Sequence, residues 1–432
     1  MLTQAQLSCR QADRQRHDLN KNDTKYWGVI HLTSLDLSKP PICLMYLPFL
    51  LVLWCTFDAF IWKNGRYSEV PPLELDSTDY EGSIIIIGAG PAGISAAYTL
   101  EYFGFRNYQI LEAKEEIGGR VQEMDDFIDI PLDLGAEWIH THPRILQDMI
   151  LFNDTVTEET IVYRPERYRQ VLGDRVKVPL PLRWLFYREW KFKSTTWKSY
   201  LNDYMHTYVQ DRVQLNTPVT TIDYTGAKIQ VTTAAGDTLE ADKVILAVPP
   251  TMLKNGRIEY VPDLPTAKTT EIDKVVPYEG FKIWFEFDEQ FYKDYTILDS
   301  YRIYFDGVFE KPTGRNVLTM LSAGGAETSD LIKLSDEELF EFHMNELDTI
   351  FRGKASEHYI QHRVQNWSKE PFIEESWEAG YTPPFHQGTI LQPVDDKIYF
   401  AGAYLNEPHF ASVHGAILSG RQVAQKVLLD AT

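Results

Sequence analysis

The sequence predicts an α/β protein: a domain built on a parallel sheet with helices on both faces, closed by the end of the chain, and a second α+β domain. Three observations predict it. Ser83-Ile-Ile-Ile-Ile87 runs directly into Gly88-Ala-Gly-Pro-Ala-Gly93. A second apolar stretch, Tyr108-Gln-Ile-Leu111, ends in the acid Glu112. Near the C-terminus, a short apolar strand at Ile398-Tyr-Phe-Ala401 precedes a stretch with helical spacing from Val413 to Leu429.

The isoleucine run lacks polar alternation, as befits a strand buried on both faces of a parallel sheet. In the glycine turn, Gly88 permits the tight bend, Gly90 lets the backbone approach a pyrophosphate, and Gly93 lets helix and sheet pack closely. Pro91 suits a first helical turn, where no backbone donor is required. Ala92 and the residues after it form the helix whose N-terminal amides would face a diphosphate. An acid about twenty residues beyond such a turn grips a ribose hydroxyl, which assigns Glu112. Strand, glycines, helix, strand and acid in this order make a Rossmann-type dinucleotide unit. Gly402 ends the late strand at the ligand, and Gly415 allows close approach at the start of the last helix.

At 432 residues the chain exceeds what one hydrophobic core usually holds, so two domains are expected. A net charge of −20 excludes a nucleic-acid partner and favours cationic ligands. The three cysteines are Cys9, Cys43 and Cys55. The body beyond them therefore has no disulfide, no thiolate metal site and no cysteine to tether a cofactor, and neither His140 nor His414 has a ligand partner at metal spacing. Residues 1–40 read as a polar extension and 63–82 as a linker. Between them, 41–62 is a hydrophobic segment of anchor or signal-like character, just long enough to span a bilayer. The expected location is a membrane, single-pass near the N-terminus, or the secretory pathway. Asn-X-Ser/Thr triplets at Asn22, Asn153 and Asn366 would be usable only in a lumenal or extracellular body.

Further motifs resemble the flavin-containing amine oxidases, the group holding polyamine oxidases, monoamine oxidases and lysine-specific histone demethylases. Glu115-Glu-Ile-Gly-Gly-Arg-Val121 is similar to the GG-R motif that follows the ribose acid. Leu132-Asp-Leu-Gly-Ala-Glu-Trp-Ile-His140 resembles the loop beside the flavin ring. Thr217-Pro-Val219 through Lys243-Val-Ile-Leu-Ala-Val-Pro-Pro250 resembles the central hairpin region. Tyr399-Phe-Ala-Gly-Ala403 and Ser412-Val-His-Gly-Ala-Ile-Leu-Ser-Gly420 are similar to the closing motif. The resemblance implies a non-covalent FAD in an FAD-binding Rossmann-type (GR2-like) domain of residues 83–145, 212–264 and 386–432. It implies cofactor contacts from Gly88, Gly90, Pro91, Ala92, Gly93, Glu112, Ala113, Gly119 and Arg120. Further contacts come from Gly135, Ala136, Glu137, Trp138, Val219, Gly402, Ala403, Ser412, Val413 and Ala416. The substrate domain, 146–211 with 265–385, is reduced, because the stretch from His140 to Leu215 is far shorter than the family usually spends there.

The strand Phe281-Lys-Ile-Trp-Phe-Glu-Phe287 alternates, with Lys282, Trp284 and Glu286 on one face. Pattern alone makes Lys282 a solvated lysine, whereas the resemblance implies a lysine bonded through water to flavin N5. It also implies that Trp377, with Tyr381 as the alternative, and Trp367 orient a neutral amine beside the ring. Each of these aromatics is equally readable as core. His140 and His414 fall inside flavin motifs, where a lone histidine is usually structural. Ser335 and Glu338 form a capping box for a helix carrying Phe340, Met344, Leu347 and Phe351 at core spacing. The implied activity is hydride transfer from a polyamine or monoamine to flavin N5, imine hydrolysis, and reduction of oxygen to hydrogen peroxide. Small-molecule amine and oxygen are the implied partners. Histone demethylation is disfavoured, for want of a chromatin-targeting domain or long coiled insertion. Two alternatives stay open: a carotenoid- or porphyrinogen-type FAD oxidoreductase of the same superfold, and a flavin-binding protein without amine turnover.

Overall fold

Four isoleucines with no polar residue among them form the middle of a parallel sheet. In the computed structural model the described residues are 70–75, 77–163, 168–172, 175–177, 189–292, 295–297 and 301–430. They belong to a unit spanning residues 62–432. Strands β1 (Ile84–Ile87), β2 (Tyr108–Leu111), β3 (Val213–Gln214), β4 (Lys243–Leu246) and β5 (Ile398–Phe400) run parallel in the order β5-β4-β1-β2-β3. Ile84 and Ile86 enter one apolar cluster, Ile85 and Ile87 another, so both faces of β1 are dry. That double burial explains the unbroken β-branched run.

Helices α1 (Pro91–Tyr102) and α2 (Val413–Leu429) pack together on one face of this sheet. Their contact is close because both meet at small residues. A Cβ at Gly420 would run into the Ala92 carbonyl oxygen. The Ser95 hydroxyl donates to the Ile417 carbonyl at 2.7 Å. The last helix is thereby fastened to the first, and β5 is fastened to β4. Two stretches more than 300 residues apart in sequence end at one place.

A larger sheet supplies the opposite wall. Its strand order is Tyr359–Asn366, Gly280–Phe287, Asn316–Ala323, Arg302–Asp306, Tyr295–Ile297, Tyr168–Leu172, Arg175–Lys177. Gly280–Phe287 lies between two antiparallel neighbours, and all eight of its residues are buried. Phe281, Ile283, Phe285 and Phe287 pack into the cluster shared with helix Asp336–Phe351. On the other face Trp284 packs with Met124 and Phe127. Alternation on this strand thus separates two buried faces, and the solvated reading of Lys282 is corrected: it is 3% exposed. The capping box at Ser335 and Glu338 is formed. The helix it starts buries Leu339, His343, Met344 and Leu347, while Phe340 and Phe351 are half-buried at its margins.

The expectation of a membrane span, and with it a membrane or secretory location, is corrected. Among the described residues no helix is long and apolar enough to cross a membrane. The hydrophobic segment 41–62 and the extension 1–40 lie outside the described residues. Asn366 is buried, its side-chain amide donating to the Ile332 carbonyl at 3.0 Å.

Candidate active site

The glycine turn opens onto the site. Gly88 holds φ +99°, a conformation only glycine adopts without strain, and its N–H donates to the Leu111 carbonyl at 2.8 Å. A Cβ at Gly93 would collide with the Gly88 carbonyl oxygen, whereas one at Gly90 would meet nothing within 4 Å. The turn is packed tight behind and open in front, which is the shape a diphosphate needs. No side chain caps the first turn of α1, so its amides remain for a ligand. Glu112 sits at the tip of β2 and accepts from Ala89 N–H at 2.7 Å, at the edge of the same opening. Gly118 N–H donates to the Ala89 carbonyl at 2.8 Å, drawing the segment that carries Arg120 against the turn.

In front lies a cavity of about 730 Å³. It is lined by Gly88, Gly90, Pro91, Ala92, Glu112, Ala113, Gly119 and Arg120 from the first unit, and by Gly135, Ala136, Glu137 and Trp138 from the following loop. Val219 and the C-terminal Gly402, Ala403, Ser412, Val413 and Ala416 add further wall. Lys282, Trp367 and Trp377 complete it. A single cavity thus gathers nearly every residue singled out from sequence, and its size and cradle fit a dinucleotide. Two of them lie off the wall. Gly93 is behind the turn, and Tyr381 stacks on Phe385 with ring centroids 4.5 Å apart.

Lys282 donates to Glu137 Oε2 at 2.7 Å and to the Gly135 and Asp133 carbonyls at 3.1 and 3.3 Å. The other Glu137 oxygen pairs with Lys191, whose ammonium stands 4.4 Å from the Trp138 ring and 4.8 Å from that of Phe305. Burial alone would raise the Glu137 carboxyl, but Lys191 and Lys282 outweigh it and bring it down to about 2. Asp133 is pushed the other way, to about 7, chiefly by burial, with Glu137 adding to the effect. Burial lowers Lys191, and it lowers Lys311 to about 8.

These directions give an expected pH response. The folded-state carboxyl of Glu137 is depressed, so its contribution is present above the unfolded value of 4.5 and lost as pH falls through about 2. A fall of that size corresponds to on the order of 3 kcal/mol. Urea unfolding of wild type and Glu137→Gln between about pH 5 and about pH 2 checks this. Wild type should lose its advantage over the variant across that window; a constant difference would remove the ion pair from the account.

Sequence reasoning missed Met252, Phe372, Ser376, Glu378 and Tyr404, which also line the cavity. A signal existed for Glu378. It lies on the strand Trp377–Tyr381, whose burial alternates outward at Trp377 and inward at Glu378. Phe372 and Ala411 hold φ of 62° and 56° on the cavity wall, strained values for non-glycine residues of a kind that gather at functional sites. His140 also lines the cavity and sits 3.1 Å from Glu189, while burial holds the His414 imidazole well below its ordinary value. Among the described residues no cluster of His, Cys, Asp or Glu could hold a metal ion.

Solved structures share this architecture. A putrescine oxidase, solved in complex with putrescine, superposes with a TM-score of 0.65 at 18% identity over 81% of this chain and 99% of its own. Cyclohexylamine oxidase from Brevibacterium oxydans does so with a TM-score of 0.66 at 16% identity over the same shares. Among curated proteins, human lysine-specific histone demethylase 2 is 24% identical over 81% of this chain and 54% of its own length. The chain thus spans about half the length of the first of these relatives. Polyamine oxidase 4 of Oryza sativa subsp. japonica is 25% identical over 80% of this chain and 88% of its own. Residues 91–205 and 198–428 match the family described as flavin containing amine oxidoreductase. With its glycine turn, its returning tail and one cavity between them, the chain belongs to that family.

Proposed function

We propose that this chain, whose cofactor is FAD, oxidises a primary or secondary amine, with a polyamine or monoamine as substrate and oxygen as final acceptor. The observation that carries the reading is the convergence on one cavity of the phosphate turn, a buried lysine and two tryptophans. FAD held there would supply the two-electron acceptor for the amine's C–N unit, with oxygen as the final acceptor and hydrogen peroxide as its product.

The chain's own groups bind and orient. The α1 amides and Arg120 would hold the diphosphate, Glu112 the ribose, and Val219 the adenine end. The last helix, begun by Ser412, would offer the Val413 N–H to the far end of the cofactor. Lys282 is fixed by Glu137 and two carbonyls, so its ammonium keeps one place on the cavity wall and would hold a water toward the flavin ring. Trp367 donates its indole N–H to the Leu134 carbonyl at 3.3 Å, which locks its plane on the cavity wall. Trp377, 43% exposed, stands as the aromatic face over which an entering amine is turned. A largely apolar lining favours the neutral amine, the form with a free lone pair. Glu189 at the His140 side offers a carboxylate to a second, distal ammonium, which suits a polyamine.

Similarity to polyamine oxidases and to a histone demethylase supports an amine without choosing among amines. The test is anaerobic mixing of the purified flavoprotein with spermine, benzylamine and an N-methylated lysine peptide. At least one should bleach the flavin, and air should restore the colour with release of peroxide. Bleaching by no amine would remove the reading and favour flavin binding without amine turnover.

A further inference from the structure

Arg120 meets two carboxylates that the sequence does not mark. Its Nη1 lies 3.0 Å from Glu375 Oε1 and its Nη2 2.6 Å from Glu378 Oε1. Both acids are buried, Glu375 completely and Glu378 to 2% exposure. Glu375 turns its other oxygen to Thr251, whose N–H donates to it at 3.2 Å. One guanidinium therefore already faces two acids before any ligand is considered.

The segment that carries this arginine is held against the phosphate turn. Gly118 N–H donates to the Ala89 carbonyl, and a Cβ at Gly119 would stand 3.6 Å from Gly90 Cα. A diphosphate at that turn adds two negative charges beside a set whose nearest cation is shared. Lys254 also faces Glu375, but it is engaged with the Asp273 carbonyl at 3.2 Å and with that of Val275. Tyr404 and, behind it, Tyr260 supply no positive charge. An extra buried anion cannot be left uncompensated there.

Resting on the reading that the diphosphate lies at this turn, we infer that Glu375 is the proton acceptor of the cofactor site: FAD binding takes up one proton, carried by Glu375, while Glu378 positions the arginine fork. As a neutral acid Glu375 no longer competes for Arg120, and one guanidinium nitrogen is released to the diphosphate.

The sign follows from the groups facing Glu375. Burial pushes its carboxyl up to about 7, Arg120 pulls it down and Glu378 pushes it up again. A bound diphosphate raises it further. The site without FAD therefore loses this proton near neutrality while the FAD-bound site keeps it. Affinity is flat below that point and falls above it by up to about tenfold per pH unit.

The experiment is FAD titration into the flavin-depleted full-length chain from about pH 6 to about pH 9, with calorimetry in two buffers of different ionisation enthalpy. Wild type should take up close to one proton per FAD above neutrality and bind progressively more weakly as pH rises. Glu375→Gln should bind FAD with a flat pH profile and no proton uptake, and Glu378→Gln should keep the pH dependence. FAD that binds wild type tightly with no proton uptake overturns the inference and leaves the cofactor reading intact, whether or not the variants fold. A pH dependence retained in Glu375→Gln also overturns it. If no FAD binds at all, the reading it rests on falls with it.

Discussion

Lys282→Met is expected to slow amine-driven flavin reduction or its reoxidation by about a hundredfold or more, while FAD stays bound. A positioned proton-transfer group contributes roughly 10²–10⁴-fold, and Lys282 is the buried lysine on the cavity wall. Methionine keeps the volume but removes the donor that Glu137, Gly135 and Asp133 hold in place. Fold loss is the first objection, since breaking a buried pair costs roughly 3–5 kcal/mol when a charge is left alone. Here Glu137 is not left alone, because Lys191 remains on its other oxygen. The variant should therefore fold with a modest loss of stability. Stopped-flow traces of reduction and of reoxidation, each compared with wild type, separate the two half-reactions. Unchanged rates in both would reduce Lys282 to a structural cation.

The second large effect is expected from a pair of glycine variants that split folding from binding. In Gly93→Ala the new Cβ meets the Gly88 carbonyl oxygen, so helix and turn must part. Such overpacking costs roughly 1–3 kcal/mol or more, and it falls on the backbone that forms the phosphate cradle. FAD affinity should drop about a hundredfold and the melting temperature of the flavin-free chain should fall by several degrees. In Gly90→Ala the Cβ points into open space, at a backbone φ of −71° that alanine adopts freely. The flavin-free chain should then melt as wild type does, yet FAD affinity should fall at least about tenfold, because the methyl occupies the diphosphate's path. Calorimetric melting with and without FAD measures both. Unimpaired FAD binding in Gly90→Ala would contradict the cradle.

Local chemistry made much of the architecture legible. The isoleucine run, the glycine turn and Glu112 each encode a backbone need within a few residues, and the structure assembles them as a parallel sheet with a tight turn. The capping box at Ser335 is equally local. What stayed hidden depends on contacts between distant segments. Lys282 reads as a surface lysine on an alternating strand, and only the covering of both faces buries it. Lys191 carries no motif, and its role arises from meeting Glu137, Trp138 and Phe305 in space. Glu378 and Arg120 are 258 residues apart, a separation no periodicity can bridge. Tyr381 lies near Trp377 in sequence, but the pairing of the strand between them shifts register and the Tyr381 ring stacks on Phe385. The membrane reading rested on hydropathy of a segment outside the described residues, and no described helix supports it.

The absorbance spectrum of the purified chain, recorded before and after denaturation, tests the central claim most directly. One flavin per chain, yellow in the native protein and released as free FAD on unfolding, is the predicted result, since no cysteine follows Cys55. A colourless preparation that gains no flavin absorbance on incubation with FAD would contradict it.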